Sequence, residues 1–306
     1  MPNLHDIERR INSVNSTKQI TRTMEMVSAA KIRRATERME AATPYSESMS
    51  EMLANVASRA AGSDNPLLQE REETKNVLYV AVVSDRGLAG GFNSNVLRHV
   101  ERAIKEKKAN GVDSNVIACG KKAISYFNFR KIPLEMVFKD MSSDPTVEEA
   151  AAIATKAIEG YQNGEYDQVV LVYNHTKNAA EQVLREEVVL PVDTSSVNAP
   201  TAADAGEANE GAASSEATVP ADTIFEPDTE AVLNGLLPAY VKTMIYHGLV
   251  DSAAGEQGAR RNAMKSATDN ATEMVETLTR YYNRVRQGAI TTELNEIVAG
   301  AAALEE

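Results

Sequence analysis

The sequence predicts an α/β protein: a long antiparallel coiled coil made by its N- and C-terminal helices, plus a central α/β domain with a mostly parallel five-stranded sheet. Two breaker-free runs and one alternation predict it. Neither Gly nor Pro occurs from Asn3 to Thr43, and neither occurs from Ala259 to Gln287. In a helix interior these residues cost about 1 and 3 kcal/mol, so such runs permit long uninterrupted helices. Between them, β-branched stretches alternate with helical segments. At 1.5 Å per residue, a helix of ~40 residues reaches roughly 60 Å, more than a compact domain needs. Helices from opposite chain ends can then meet only by pairing outside the central domain, as a rod on a globular body.

The first element is a helix over residues 4–60. Ile7, Ile11 and Val14 open an apolar stripe that then shifts to Ile20, Met24 and Val27. Lys18, Thr21 and Ser28 interrupt it, and Pro44 marks a kink or joint. Gly62, Ser63, Asp64, Asn65 and Pro66 end it. Strands are expected at Val77–Ser84, Asn115–Cys119, Leu134–Phe138, Val169–Tyr173 and Val183–Val192, with helices at Val96–Lys108, Lys121–Phe129 and Val147–Asn163. Strands separated by helices form a parallel sheet with helices on both faces. The last two strands are too close for a crossover, so the fifth is an antiparallel edge.

Residues 194–223 hold Val197 and Val219 as their only large apolar side chains, and read as a disordered acidic insertion. From Asp228 the chain is helical again, with a softer patch at Gly248, Gly255 and Gly258. Ala263, Ala267, Asn270, Met274, Leu278, Tyr281, Val285, Gly288 and Thr292 follow a 4-and-3 spacing. That is a coiled-coil seam of mainly small or polar residues. The segments are therefore 1–66, 75–193, 194–223 and 224–306.

The net charge of −12 is unevenly placed. Nine acids and no Lys or Arg lie between Asp193 and Glu230, whereas residues 1–40 hold eight basic and five acidic side chains. Basic terminal helices suit a negatively charged or polar partner. No run of 18 apolar residues and no signal peptide is present, so the protein is expected inside the cell. Cys119 is the single cysteine, and excludes an internal disulfide or a cysteine-based metal cluster.

Chemistry is sparse. The loop Ser84–Asn93 (SDRGLAGGFN) follows the first strand, where a sheet of this kind cradles phosphate, but it lacks the G-x-G-x-x-G spacing. Gly120-Lys121 resembles the end of a phosphate loop, with Lys122 where Ser or Thr belongs. His5, His99, His175 and His247 show no metal-ligand spacing, and no nucleophile elbow is present. No cofactor, metal or catalytic group is expected.

Four segments carry a resemblance: Thr17–Lys31 (TKQITRTMEMVSAAK), Ser84–Asn95 (SDRGLAGGFNSN), Ala259–Ala271 (ARRNAMKSATDNA) and Ile290–Ala301 (ITTELNEIVAGA). Together they resemble the γ-subunit family of bacterial-type F-type ATP synthases. That resemblance implies a non-catalytic central-stalk rotor coupling proton-driven c-ring rotation to ATP synthesis and hydrolysis on the β subunits. It implies partners (three α and three β subunits, the ε subunit and the c-ring, with no nucleic acid) and a peripheral position on the cytoplasmic face of the membrane. It also implies rotor–stator contact or coupling roles for Met24, Arg260, Gln287, Thr291 and Glu293. The family's plant-chloroplast branch has a cysteine-paired switch in its insertion; residues 194–223 contain no cysteine. Two other readings stand beside the rotor: a nucleotide-dependent α/β enzyme using the Gly87–Gly91 loop, and a plain coiled-coil scaffold.

Overall fold

The computed structural model describes residues 4–59, 65–178, 181–193, 226 and 228–304. The expected insertion at 194–223 lies outside them. In order, the elements are α1 (Leu4–Arg59), β1 (Asn76–Val82), α2 (Phe92–Ala109), β2 (Asp113–Cys119), α3 (Lys121–Phe129), β3 (Leu134–Phe138), α4 (Val147–Gln162), β4 (Gln168–Thr176), β5 (Gln182–Leu190) and α5 (Thr229–Leu304). The chain divides into two units, residues 1–29 with 260–306 and residues 30–259. Both divisions fall inside long helices, within α1 and within α5.

The second unit is the α/β body. Its sheet has the order β3-β2-β1-β4-β5. β1 pairs in parallel with β2 and β4, β2 pairs in parallel with β3, and β5 runs antiparallel to β4. β1 is buried along nearly its whole length because both sheet faces are covered. On one face Val77, Tyr79, Ala81 and Val170 pack with Val96, Val100 and Phe127 of α2 and α3. On the other, Leu78, Val80 and Leu171 pack with Ile153 and Ala157 of α4 and with Leu233, Leu237, Val241 and Ile245 of α5. Alternate residues of each strand thus feed opposite cores.

Gly248 and Gly255 are close-contact positions here, not a soft patch. A Cβ on Gly248 would lie 2.6 Å from Leu171 Cδ2, and one on Gly255 would lie 3.0 Å from Thr176 Oγ1. Pro44 likewise sits within an unbroken α1 instead of at a joint between elements. The helix there lacks one backbone N–H, which leaves the carbonyl four residues earlier without its usual donor.

The first unit is a two-helix pair from α1 and α5. Along α1, Ile7, Ile11, Val14, Lys18, Thr21, Glu25 and Ser28 are covered at alternate spacings of four and three, flanked by the half-buried Asn15 and Met24. Along α5, Met264, Thr268, Ala271, Val275, Leu278, Tyr282, Val285 and Ala289 are covered in the same rhythm, flanked by the half-buried Ala263, Ala267 and Tyr281. Both are heptad seams. They join at Thr268, whose hydroxyl donates to Thr21 Oγ1 at 2.8 Å.

These seams correct the expected stripes. Ile20 and Val27 are 61% and 50% exposed, and the supposed interruptions Lys18, Thr21 and Ser28 are the seam itself. On α5 the expected Ala263 and Ala267 are half-buried beside the more deeply covered Met264 and Thr268, whereas Asn270 is exposed and Met274 is 53% exposed, their places taken by Ala271 and Val275. Gly288 and Thr292 are also exposed, whereas Leu278 and Val285 lie where expected. Where the helices touch most closely, at Thr21, Ser28 and Thr268, small polar residues hold the inner positions, while larger side chains such as Ile7, Met264 and Leu278 share the rest of the seam.

Candidate functional site

Two places could carry function: the loop after β1, and the outward surface of the helix pair. In the loop, local sequence sets the geometry. Asn93, at the start of α2, turns its amide oxygen onto Ser84 N and Ser84 Oγ, both at 2.9 Å, and its Nδ2 donates to Arg86 O at 3.2 Å. The Ser84 hydroxyl also donates to Arg86 O.

Asp85 then bridges three segments. Its carboxylate accepts from Lys121 N at 2.9 Å, Asp140 N at 3.0 Å and Ser142 N at 3.1 Å. Burial would raise its pKa, but those backbone N–H bonds outweigh burial and hold it below the ordinary carboxylate value. Lys121 is the first residue of α3, so this carboxylate occupies a helix N-terminus where a phosphate would otherwise bind. The preceding residue, Gly120, is held at φ +100°, and a Cβ there would meet Val83 O at 2.2 Å. This is a sealed strand-to-helix turn. The anion position at the start of α3 is filled by the chain's own aspartate, which leaves the Gly120-Lys121 turn no room for a phosphate.

A second buried carboxylate ties α5 to the sheet. Asp251 is fully buried and accepts from Thr176 N at 2.9 Å, and one of its oxygens lies 2.6 Å from His175 Nδ1. Thr176 Oγ1 also donates to the Asp251 carbonyl at 3.0 Å. Sequence spacing gave no sign of this link, because its partners lie 75 residues apart. Among the described residues, no group of three or more His, Cys, Asp or Glu is placed to hold a metal ion.

The five residues expected to contact a partner fall on the helix pair. Met24 is half-buried beside the α1 seam. Gln287, Thr291 and Glu293 are exposed on α5, where the Thr291 hydroxyl donates to Gln287 O at 2.9 Å. Arg260 is different: it is 7% exposed within the chain itself. The structure therefore brings Gln287 and Thr291 together on one helix face and sets Arg260 apart as a covered residue.

Sequence reasoning missed the larger feature. Ile20, Met26, Val27, Met274, Ile290, Leu294, Ile297 and Val298 are all more than 45% exposed. Beyond Ala289, α5 has no covered residue as far as Ala301. The signal was available: apolar residues lying off the 4-and-3 seam.

A coiled coil of the two terminal helices and a doubly covered, mostly parallel sheet define the class of protein: an α/β body whose chain ends pair as long helices. The family model described as ATP synthase matches residues 3–304. The chain is 40% identical to the ATP synthase gamma chain of Chlorobaculum tepidum, over 100% of both chains. It is 42% identical to that of Anaeromyxobacter dehalogenans, over 99% of this chain and 100% of the other. The chain belongs to the ATP synthase gamma-chain family.

Solved structures agree. A central-stalk chain of the Tetrahymena thermophila mitochondrial ATP synthase matches with TM-score 0.57 and 27% identity, over 81% of this chain and 99% of that one. A chain of the Euglena gracilis mitochondrial ATP synthase matches with TM-score 0.64 over 98% of this chain and 94% of that one. At 18% identity, the second likeness concerns the fold alone.

Proposed function

We propose that this chain is the central-stalk rotor of a proton-driven ATP synthase and performs no nucleotide chemistry itself. Its α5 end and the outward face of the helix pair would stand within a ring of three α and three β subunits. Its α/β unit would rest on the c-ring beside an ε subunit, at the cytoplasmic face of the membrane. Rotation would then present a different side of an asymmetric shaft to each β subunit, shifting that site's nucleotide affinity through a coupling free energy.

The observation that carries this reading is the inverted surface of the helix pair. Thr21, Ser28 and Thr268 are buried, while Ile20, Val27, Leu294 and Val298 face outward. Apolar residues scattered around a thin shaft suit a sleeve that must be touched on every side but never gripped. Met24, Gln287, Thr291 and Glu293 would make rotor–stator contacts. Arg260, covered within the chain, would influence coupling by holding the helices in place. In keeping with a peripheral position, no helix among the described residues is long and apolar enough to cross a membrane.

The test is assembly and rotation. Co-expressed with α and β subunits, the chain should purify at one copy per three of each, and a bead on its α/β unit should turn when ATP is added. A stationary bead on a complex that hydrolyses ATP would refute the rotor reading. A chain that self-associates but leaves α and β uncaptured would favour the scaffold reading.

A further inference from the structure

The α/β unit contains a cavity of about 570 Å³ between α1, the start of α4 and α5. Small-molecule sites commonly occupy about 300–1,000 Å³. This one is far from the sealed loop in its chemistry, because its lining is cationic and aromatic. Arg38, Lys242 and His247 lie in its wall with Tyr45 and Tyr246. The one acidic residue in the lining is Asp144, and the Arg38 guanidinium already pairs with it. That pair is neutral as a unit, so Lys242 supplies the net charge of the cavity, and His247 adds an imidazole nitrogen to its wall.

Nothing on the protein side consumes that charge. Among the described residues, neither Lys242 nor His247 makes a hydrogen bond or ion pair. They lie on successive turns of α5, five residues apart, and both are half-buried. An ammonium on a cavity wall without a carboxylate partner favours an anion there. Tyr45 has a second role. It is 60% exposed at the edge of the space, where its ring offers a face on which a flat group can stack.

We propose that this cavity is a binding site for a small phosphorylated compound with a planar ring, its phosphate on Lys242 and His247 and its ring against Tyr45. The inference is independent of the rotor reading, since it rests on the lining of one cavity within the α/β unit. It is also separate from the Ser84–Asn93 loop, none of whose residues line it.

The full-length chain, titrated calorimetrically at low salt with inorganic pyrophosphate and separately with ADP, tests it. Both probes should bind saturably, with ADP the tighter by several-fold. Lys242→Gln should weaken both at least tenfold, and His247→Gln should weaken both by a smaller factor. Tyr45→Ala should weaken ADP while leaving pyrophosphate unchanged. Arg86→Gln, in the loop after β1, should alter neither. Raising the salt concentration should weaken pyrophosphate the more, because its contacts are wholly electrostatic. Circular dichroism of each variant confirms that it is folded before its titration is read. Absence of saturable binding by both probes to the folded chain would overturn the site, as would unchanged binding in both Lys242→Gln and His247→Gln. Binding of ADP and pyrophosphate with equal affinity would overturn the ring contact.

Discussion

The α/β unit and the helix pair place their apolar residues in opposite ways. In the α/β unit, strands and helices bury contiguous aliphatic cores on both faces of one sheet. In the helix pair, Thr21, Ser28 and Thr268 are buried, while Ile20, Met26, Val27 and Met274 are exposed. Of sixteen large exposed hydrophobic residues among those described, eight lie in the helix pair, which holds about a quarter of the chain. The difference teaches that one unit is folded by its own burial, whereas the other carries apolar surface for something outside the chain. At roughly 25 cal/mol per Å², threonines and alanines in a seam return little compared with the leucines and valines of a sheet.

Substitutions can break that contrast, and the largest effect should come from the buried link between α5 and the sheet. Asp251→Ala removes the acceptor for Thr176 N and the partner of His175. It should destabilise the α/β unit by about 3 kcal/mol or more, because buried donors are left unsatisfied. Urea unfolding followed by circular dichroism measures it, and a loss under 1 kcal/mol would contradict the role given to Asp251. Gly248→Ala comes next. Its new methyl would press on Leu171 Cδ2, and overpacking of this kind costs about 1–3 kcal/mol. The same melt should report it, with the helix pair unaffected.

Asp85 sharpens the comparison through pH. Its folded-state pKa is lowered, so its contribution is present above the unfolded carboxylate value of about 3.9 and is lost as pH falls through the lower folded value. Asp85→Asn should therefore be less stable than wild type at pH 7, and the gap should close on acidification below about pH 4. A gap that stays constant to pH 2 would show that the carboxylate charge is not the cause. The smallest stability effect is expected in the seam. Thr268→Val removes the bond to Thr21 while keeping the shape, and should cost about 1 kcal/mol or less. Its counterpart on the outer face is Met24→Lys, which should leave folding unchanged yet lower proton pumping per ATP hydrolysed in vesicles. An unchanged ratio would remove Met24 from the contact set.

Much of the α/β unit was legible from sequence. Leu134–Phe138 and Lys121–Phe129 lie where expected, the strand because Leu134, Met136 and Phe138 alternate with exposed Glu135 and Val137, the helix because it follows a Gly turn. The mostly parallel sheet and its antiparallel fifth strand followed from connection length alone. The helix-pair seam was misread for a physical reason. Large apolar residues were assigned inward, but a thin pair admits Thr21 and Thr268 inward and sends Ile20 outward. Asp85 and Asp251 were invisible because their partners are far away in sequence and a lone aspartate carries no pattern. Arg260 was read as a surface contact from resemblance, and only the folded chain reveals that its side chain is covered.

The unpaired end of α5 has a thermal consequence. Ile290, Leu294 and Ile297 recur at spacings of four and three along turns where no neighbouring helix covers them. A single helix of this length is marginal in water, so its last turns should fray on warming well before the seam opens. Seating those turns against any apolar surface would release their hydration water and lower the heat capacity of the system by about 0.45 cal/K/mol for each Å² of apolar area covered. The enthalpy of association should therefore grow more negative as temperature rises, and its slope would count how much of this exposed stripe is enclosed.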